Sequence, residues 1–235
     1  MANESKFLCY LDILGFKNRI ADDDFKRCYE KIGDNIQAYN FADKIYVISD
    51  SIVIISENFS DVVNNSFAIY SDALGQGLFL RGGITKGQIN KLPVVQETDN
   101  KIVIPYLGEA YLAAYKLEEN INCAAICIDQ ETYDGLQDGD KKLIFSYKEL
   151  FPKDDIKKEK LFLISDMYNN YSVPRTILFK ISEQINHLSK HDLLKFMDTF
   201  FLYYRVMREK HKDTNNVKTY HTWWINILDR LSKNA

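Results

Sequence analysis

The fold is decided by residues 7–14, which read FLCYLDIL, and by residues 44–56, which read KIYVISDSIVIIS. The first stretch is almost continuously apolar with one carboxylate, Asp12, and it predicts a central strand buried on both faces. The second consists of two β-branched runs joined at Asp50, and a join this short predicts a tight β-hairpin. Each stretch therefore places one carboxylate within or beside a strand in apolar surroundings.

Helices and strands alternate outward from these two stretches. Apolar spacing and turn residues predict helices at 22–39, 59–77 and 106–119 with another starting near Gln130, strands at 78–86 and 123–128, and a hairpin within 91–104. This order predicts an α+β fold, a ferredoxin-like sandwich with helices on one face of a mainly antiparallel sheet.

The composition changes beyond Pro152. A lysine-rich segment at 153–160 precedes predicted strands at 161–165 and 176–179 and predicted helices at 182–212 and 217–233. The first of these helices has too many apolar positions for one narrow stripe, so we expect it to lie between other elements or against a second subunit. We predict a main domain at residues 1–180 and a helical extension at 181–235 that packs on it and serves packing or dimerisation.

The overall composition is that of an ordinary packed globule, with 46% hydrophobic and 27% charged residues in 235. A net charge of −3 argues against a general binder of nucleic acid or of an anionic membrane. No basic and apolar leader opens the sequence, and no run of 18 apolar residues occurs, so we expect a cytoplasmic protein without direct membrane insertion. The four cysteines form no CxxC pair and are expected to be reduced: Cys9, Cys28, Cys123 and Cys127.

The two carboxylates suggest a metal site. In a ferredoxin-like sheet the first strand and the following hairpin are adjacent, so Asp12 and Asp50 can meet at one edge and hold divalent cations for phosphoryl chemistry. The alternative is that Asp12 caps the next helix and Asp50 serves the turn. Because buried charges are seldom retained without a partner, we favour the metal site.

Four motifs, in order, resemble those of the class III nucleotide cyclase catalytic domain. They are YLDILGF (10–16) for the first metal motif, VISDSIVIIS (47–56) for the second metal hairpin, LRGGITKG (80–87) for a core strand and LGEAYLAAYKLEE (107–119) for the transition-state helix. The segment KTYHTWWINIL at 218–228 is further similar to the bacterial antiphage pyrimidine cyclases of the Pycsar type. The resemblance implies a cyclase-homology sandwich followed by a helical extension.

The resemblance also implies a site for two divalent cations, Mg²⁺ or Mn²⁺. Asp12, Asp50 and the backbone carbonyl of Ile13 would hold them. One ion would lower the pKa of the ribose 3′-hydroxyl and the other would neutralise the triphosphate. The turn after the first strand, Leu14-Gly15-Phe16, would offer backbone N–H groups to the β- and γ-phosphates.

The transition-state helix departs from the family pattern. The family carries Asn and Arg four residues apart, and these positions fall here on Leu112 and Lys116. The Asn is missing, and the Arg is replaced by a lysine with no bidentate fork. Tyr111 and Tyr115 are neighbours that could supply a hydroxyl group. This departure argues against an ordinary adenylate cyclase and leaves the metal chemistry intact.

Base selection is expected from the first strand of the hairpin. Lys44 and Tyr46 share one strand face, and the second base-contacting position of the family falls on Pro105. A bulky Tyr46 beside Lys44, with Pro105 narrowing the far wall, favours a smaller base, that of CTP or UTP. Tyr46 could equally be a packing residue. Arg81 lies in an apolar strand and needs an acceptor, for which a substrate phosphate and a carboxylate of a partner chain are the two candidates.

The resemblance further implies a head-to-tail homodimer with composite sites. Asp12 and Asp50 of one chain would face Lys44, Tyr46 and Lys116 of the other. The product would be a 3′,5′-cyclic pyrimidine monophosphate, a second messenger of antiphage defence that a separate cyclic-nucleotide-binding effector reads. The alternatives are an adenylate or guanylate cyclase and a catalytically inactive cyclase-homology module that dimerises or binds nucleotide. No nucleic-acid partner is expected.

Overall fold

The computed structural model describes part of the 235-residue chain. The described residues are 5–16, 21–39, 42–89, 97–98, 101–102, 108–146, 148, 161–163, 190–210, 222, 225 and 229. Several predictions lie outside these ranges: the lysine-rich segment at 153–160, the strand at 176–179, Pro105, most of the helix at 217–233, and the predicted domain boundary between residues 180 and 181.

The strands of the described residues form one large sheet and one small hairpin. The strands are β1 Ser5–Ile13, β2 Lys44–Ile48, β3 Ser51–Ser56, β4 Leu80–Gln88, β5 Glu97–Thr98, β6 Lys101–Ile102, β7 Ile126–Ile128, β8 Ile144–Ser146 and β9 Leu161–Leu163. The large sheet has seven strands in the order β2-β3-β1-β4-β7-β9-β8, and β5 pairs with β6. Only the β4–β7 pair of the large sheet is parallel, so the predicted mainly antiparallel sheet is confirmed.

The helices of the described residues follow the predicted order, with one short additional helix at Asp138–Lys141 that was not predicted. They are α1 Asp23–Ile36, α2 Phe59–Gly75, α3 Glu109–Glu119, α4 Gln130–Asp134, α5 Asp138–Lys141 and α6 Lys190–Lys210. The Asp22 carboxylate begins α1 as its N-cap, accepting bonds from the N–H groups of Asp24 and Phe25. The α+β fold class predicted from the sequence is confirmed. None of the described helices is long and apolar enough to cross a bilayer.

The large sheet is covered on both faces. On β1, Cys9 and Leu11 belong to the larger apolar cluster, which includes residues of α1, α2 and α6. Leu8 and Tyr10 point the other way and pack with residues of α3. The expectation of helices on one face is therefore wrong. Side chains alternate along a strand, so a continuously apolar strand such as β1 needs cover on both sides.

Gly83 allows α3 to lie directly on the sheet. A Cβ atom at this position would be 2.3 Å from the carbonyl oxygen of Ala114 and 2.7 Å from the Cβ of Leu117, distances that real Cβ atoms do not show. The group that approaches Gly83 is the backbone of α3. The helix that carries Lys116 is thereby fixed against β4.

Helix α6 packs into the larger apolar cluster. The rings of Phe196 and Phe79 have centroids 4.2 Å apart. The hydroxyl of Thr199 accepts a bond of 2.7 Å from the N–H of Ala124 and donates one of 2.7 Å to the carbonyl of Lys195. Phe79 directly precedes β4 and Ala124 lies two residues before β7, so α6 is anchored beside the centre of the sheet.

Candidate functional site

Asp12 and Asp50 lie beside each other where β1 meets the β2–β3 hairpin. Asp12 is directly opposite Ser51 in the β1–β3 register. The N–H of Ile13 donates a hydrogen bond of 3.0 Å to the carbonyl oxygen of Asp50. The strand and the hairpin are thus adjacent, as the sequence predicted. The role of Asp12, Asp50 and the Ile13 carbonyl as metal ligands stays a prediction.

The hairpin that carries Asp50 is as short as predicted. Ile48 pairs with Ser51, which leaves Ser49 and Asp50 as the two turn residues. Ser49 has a φ of 55°, in the left-handed region that two-residue hairpin turns use. Its carbonyl accepts a hydrogen bond from the Tyr29 hydroxyl of α1. The turn is therefore held from the helical layer, and with it the position of Asp50.

The electrostatics of Asp12 reflect its position in the sheet. Burial, and the nearby charge of Asp50, raise the pKa of the Asp12 carboxyl, whereas the Arg81 guanidinium lowers it. The larger effect is burial, so the pKa lies above its ordinary value. Two neighbouring carboxylates in such surroundings repel each other, and a divalent cation between them would relieve that repulsion.

The turn after β1 differs in one respect from the expectation. Gly15 has a φ of 77°, a conformation that disfavours other L-residues. The N–H of Leu14, in the same turn, donates a bond of 2.8 Å to the carbonyl of Phe79 and is not available for a phosphate. The N–H groups of Gly15 and Phe16 stay candidates. The ring of Phe16 packs edge-on against Phe25 at 5.4 Å, which gives that side chain a structural role.

Arg81 has its acceptors within its own chain. Its Nε contacts Glu118, Nη1 donates a bond of 3.1 Å to the carbonyl of Ile121, and Nη2 lies 3.5 Å from a carboxylate oxygen of Asp12. This differs from both candidates that the sequence left open, a substrate phosphate and a carboxylate of a partner chain. We therefore do not place Arg81 among the substrate-binding residues.

Sequence reasoning missed Glu118. Its side chain is only 2% exposed, and burial raises its pKa to about 7 in spite of the opposing Arg81 charge. A signal was present, since the buried positions of α3 are Ala110, Ala114 and Glu118, spaced by four residues on one helix face. This face of α3 covers the apolar part of the sheet that contains Arg81. An acceptor for Arg81 was therefore to be expected on this helix face.

Sequence reasoning also missed Lys195 of α6. The positive charge of Lys195 lowers the pKa of both Asp12 and Glu118, although burial outweighs it in each case. No local sequence signal connects a lysine of α6 with a strand at the start of the chain. Its position follows from the packing of Phe196, the next residue, against Phe79.

The predicted base-contacting residues lie on β2, at the edge of the sheet. Tyr46 is opposite Val53 and packs, half-buried, against the apolar cluster under α3. Lys44 is exposed and lies opposite Ile55. Tyr46 thus lies on the same sheet face as Tyr10 and has a packing role, whether or not it also contacts a base.

The predicted residues of α3 have different environments. Lys116 is exposed, and so is Leu112, at 42%. Tyr111 is half-buried and packs edge-on against Tyr10, with ring centroids 5.5 Å apart. The hydroxyl of Tyr115 donates a bond of 2.8 Å to Glu119. The outer face of α3 therefore presents Leu112 and Lys116.

The donor set at the end of β1 fits a small hard cation. Two carboxylates and a backbone carbonyl supply only oxygen atoms, which Mg²⁺ and Mn²⁺ prefer. Within the described ranges, no group of three or more His, Cys, Asp and Glu side chains could hold a metal ion. A cation at Asp12 and Asp50 would therefore need further ligands from backbone oxygens and from a bound substrate.

Solved structures with a similar fold are nucleotide cyclase domains. The guanylate cyclase domain of RhGC from Catenaria anguillulae, in complex with GTP, has a TM-score of 0.53 at 16% identity, over 69% of this chain and 97% of that chain. The catalytic core of a rhodopsin-guanylyl cyclase with converted specificity, in complex with ATPαS, has a TM-score of 0.54 at 15% identity, over 69% of this chain and 96% of that chain.

A third structure has the same fold. The dimeric guanylyl cyclase domain of the RhoGC fusion protein from Blastocladiella emersonii has a TM-score of 0.50 at 15% identity, over 68% of this chain and 93% of that chain. No protein-family model matches the sequence, and no curated protein matches it. At these identities the likeness shows the fold: this chain has the fold of the class III cyclase catalytic domains.

Proposed function

We propose that this protein is a nucleotide cyclase of the class III type. The observation that carries the proposal is the meeting of Asp12 and Asp50 where β1 joins the hairpin, in a chain with the fold of cyclase domains. The three fold relatives named above are guanylyl cyclase domains or a variant of one with converted specificity. Asp12 and Asp50 are thus the residues on which the assignment depends.

The reaction is an internal displacement at the α-phosphorus of a nucleoside triphosphate. The ribose 3′-hydroxyl loses its proton to solvent and its oxygen forms a bond to that phosphorus. The bond from phosphorus to the oxygen that bridges to the β-phosphate breaks, and pyrophosphate leaves with the electron pair. Asp12, Asp50 and the carbonyl of Ile13 would hold divalent cations, Mg²⁺ or Mn²⁺. Such cations, when bound, lower the pKa of the attacking hydroxyl and offset the charge of the triphosphate.

Other residues of the chain bind and orient the substrate. The N–H groups of Gly15 and Phe16 donate to oxygens of the β- and γ-phosphates. Lys116 supplies a positive charge to the α-phosphate, which gains negative charge in the transition state. Tyr111 lies five residues before Lys116 on the same helix, packs on Tyr10 and orients the ribose.

The active unit is a head-to-tail homodimer. Lys116 and Leu112 are exposed on α3 of the single chain, and Lys44 is exposed on β2. Residues that act on a buried phosphate are not expected to stay solvated, and a second copy would cover them. Asp12 and Asp50 of one protomer would then face Lys44, Tyr46 and Lys116 of its partner.

For the substrate we propose a pyrimidine nucleotide, CTP or UTP. Tyr46 is half-buried and lies on the same strand face as Lys44, and a bulky ring at this position would favour a smaller base. The product would be the cyclic pyrimidine monophosphate, which a separate effector with a cyclic-nucleotide-binding domain reads in antiphage defence. This part of the proposal rests on the resemblance of the sequence to pyrimidine cyclases and on the size of Tyr46.

Complementation between two inactive variants tests the proposed enzyme and its composite site. We expect Asp12→Ala and Lys116→Ala each to abolish cyclic nucleotide formation. An equal mixture, refolded or exchanged together, should regain about a quarter of the native activity, because half of the dimers are mixed and one of their two sites is intact. Lys142→Ala, which removes another exposed lysine, is the control and should stay active.

Two results would contradict this proposal. A mixture that stays inactive, while Lys142→Ala is active and dimers exchange, argues against a composite site. Nucleotide binding without turnover in the native protein would favour the inactive module, for which Leu112 at the family Asn position is the motivating observation.

A further inference from the structure

Three charged side chains of different elements meet beneath α3. Arg81 of β4 lies between Asp12 of β1 and Glu118 of α3, with 20%, 18% and 2% of the respective side chains exposed. The register of β1 and β4 pairs Asp12 directly with Arg81. The cluster connects the proposed cation site with the helix that carries Lys116.

The three acceptors of Arg81 are not equivalent. Nε contacts the Glu118 carboxylate, and Nη1 donates a bond of 3.1 Å to the carbonyl of Ile121. Nη2 lies 3.5 Å from the nearest Asp12 oxygen, beyond the range of about 2.7–3.2 Å for N–H···O hydrogen bonds. The guanidinium is therefore ion-paired with Glu118 and hydrogen-bonded to the Ile121 carbonyl just after α3, and it lies farther from Asp12.

We propose that Glu118 is a positioning residue for the cation site: by holding the Arg81 guanidinium against α3, it keeps the Asp12 carboxylate available to a divalent cation. The inference rests on the proposed function in one respect, namely that Asp12 is a cation ligand. Glu118 itself touches neither cation nor substrate in this role.

The physical reason is competition for one carboxylate. An Arg side chain and a carboxylate form strong, often bidentate hydrogen bonds when their geometry allows. If Glu118 loses its charge, the nearest anionic partner of Arg81 is Asp12, at 3.5 Å. Rotation of the guanidinium toward Asp12 would then occupy the oxygens that the cation needs. Ligand-orienting neighbours of this kind commonly alter metal affinity by about 10–100-fold.

The test measures Mn²⁺ affinity without turnover. Titration of the full-length protein with Mn²⁺ at pH 8, followed by the electron paramagnetic resonance signal of free Mn²⁺, gives the dissociation constant. We expect Glu118→Gln to weaken Mn²⁺ binding by about tenfold. Glu119→Gln is the matched control, because it removes the exposed neighbouring charge, and it should leave the dissociation constant unchanged.

A second variant separates positioning from general damage to the fold. Arg81→Met combined with Glu118→Gln removes the competing guanidinium, so Mn²⁺ affinity should return to the native value. A purely structural role of Glu118 predicts no such recovery. Should Glu118→Gln alone fail to fold, the double variant still decides, since weak Mn²⁺ binding by the folded double variant would overturn the inference.

Asp12→Asn distinguishes this inference from the proposed function. If Asp12→Asn leaves Mn²⁺ binding unchanged, the proposed cation site is wrong and the inference is overturned with it. If Asp12→Asn weakens binding and Glu118→Gln does not, the cation site stands and the inference alone is overturned.

Discussion

At the scale of single residues, the acidic side chains of the site outnumber the basic ones. Asp12, Asp50 and Glu118 are acidic, and Arg81 and Lys195 are the basic groups that act on them. Buried carboxylates are stable only when cations or hydrogen-bond donors lie beside them. Burial raises the pKa of both Asp12 and Glu118 in spite of the basic groups. A bound divalent cation would offset this excess of negative charge.

The raised pKa of Glu118 has a consequence for stability. The pKa is about 7 in the folded chain and near its ordinary 4.5 in the unfolded chain. The folded state therefore binds more protons between these values, and the free energy of unfolding should decrease as the pH rises from about 4.5 to about 7. Well above pH 7 the contribution of Glu118 to the free energy of unfolding no longer changes with pH. The charged groups that act on Glu118 are Arg81 of β4, Asp12 of β1, Glu119 of α3 and Lys195 of α6.

Urea unfolding at pH 5 and pH 8, with a chelator present, measures this effect. Between pH 5 and pH 8, the free energy of unfolding of the native protein should decrease by up to about 3 kcal/mol more than that of Glu118→Gln. The reason is that the glutamine at this position does not titrate. Glu119→Gln removes a charge that raises the Glu118 pKa less than burial does, so it should keep most of the native pH dependence. An unchanged pH dependence in Glu118→Gln would show that this carboxyl titrates normally.

At the scale of secondary-structure elements, the sequence was most informative where the pattern is local. The apolar run of β1, the two-residue turn at Asp50 and the helical spacing of α3 were all predicted and agree with the structure. The rotation of α3 about its axis was not predicted, because it depends on contacts between distant segments. The pairing of Glu118 with Arg81 follows from that rotation and was therefore missed.

Gly83 determines how closely α3 lies on β4. In Gly83→Ala the new Cβ would overlap the Ala114 carbonyl, so we expect a loss of about 3 kcal/mol or more of unfolding free energy, measured by urea denaturation. The control is Gly33→Ala in α1, where a Cβ meets nothing within 4 Å. That change should stabilise the protein by about 0.5–1 kcal/mol. Equal effects of the two substitutions would show that α3 is not in close contact with β4.

At the scale of the whole molecule, helix α6 is part of the core that packs against the sheet. Phe196, Phe200 and Tyr203 of α6 are buried in the larger apolar cluster, and Thr199 is hydrogen-bonded to the chain before β7. The many apolar positions of this helix predicted contacts with other elements or with a second subunit. One face packs in the core, whereas Leu194 and Phe201 are exposed. Its approach to Asp12 through Lys195 was not predictable, because long-range packing decides it. We propose that the extension at 181–235 supports the active site as well as the fold.

The reaction itself is the central claim, and identification of its product tests it most directly. Purified protein is incubated separately with ATP, GTP, CTP and UTP, with Mn²⁺ and with Mg²⁺, and the products are identified by mass spectrometry, with Asp12→Ala as the blank. We predict a cyclic pyrimidine monophosphate and pyrophosphate that are absent from the blank. Cyclic AMP or cyclic GMP would keep the chemistry and contradict the assigned base. The absence of any cyclic product with all four nucleotides would contradict the account.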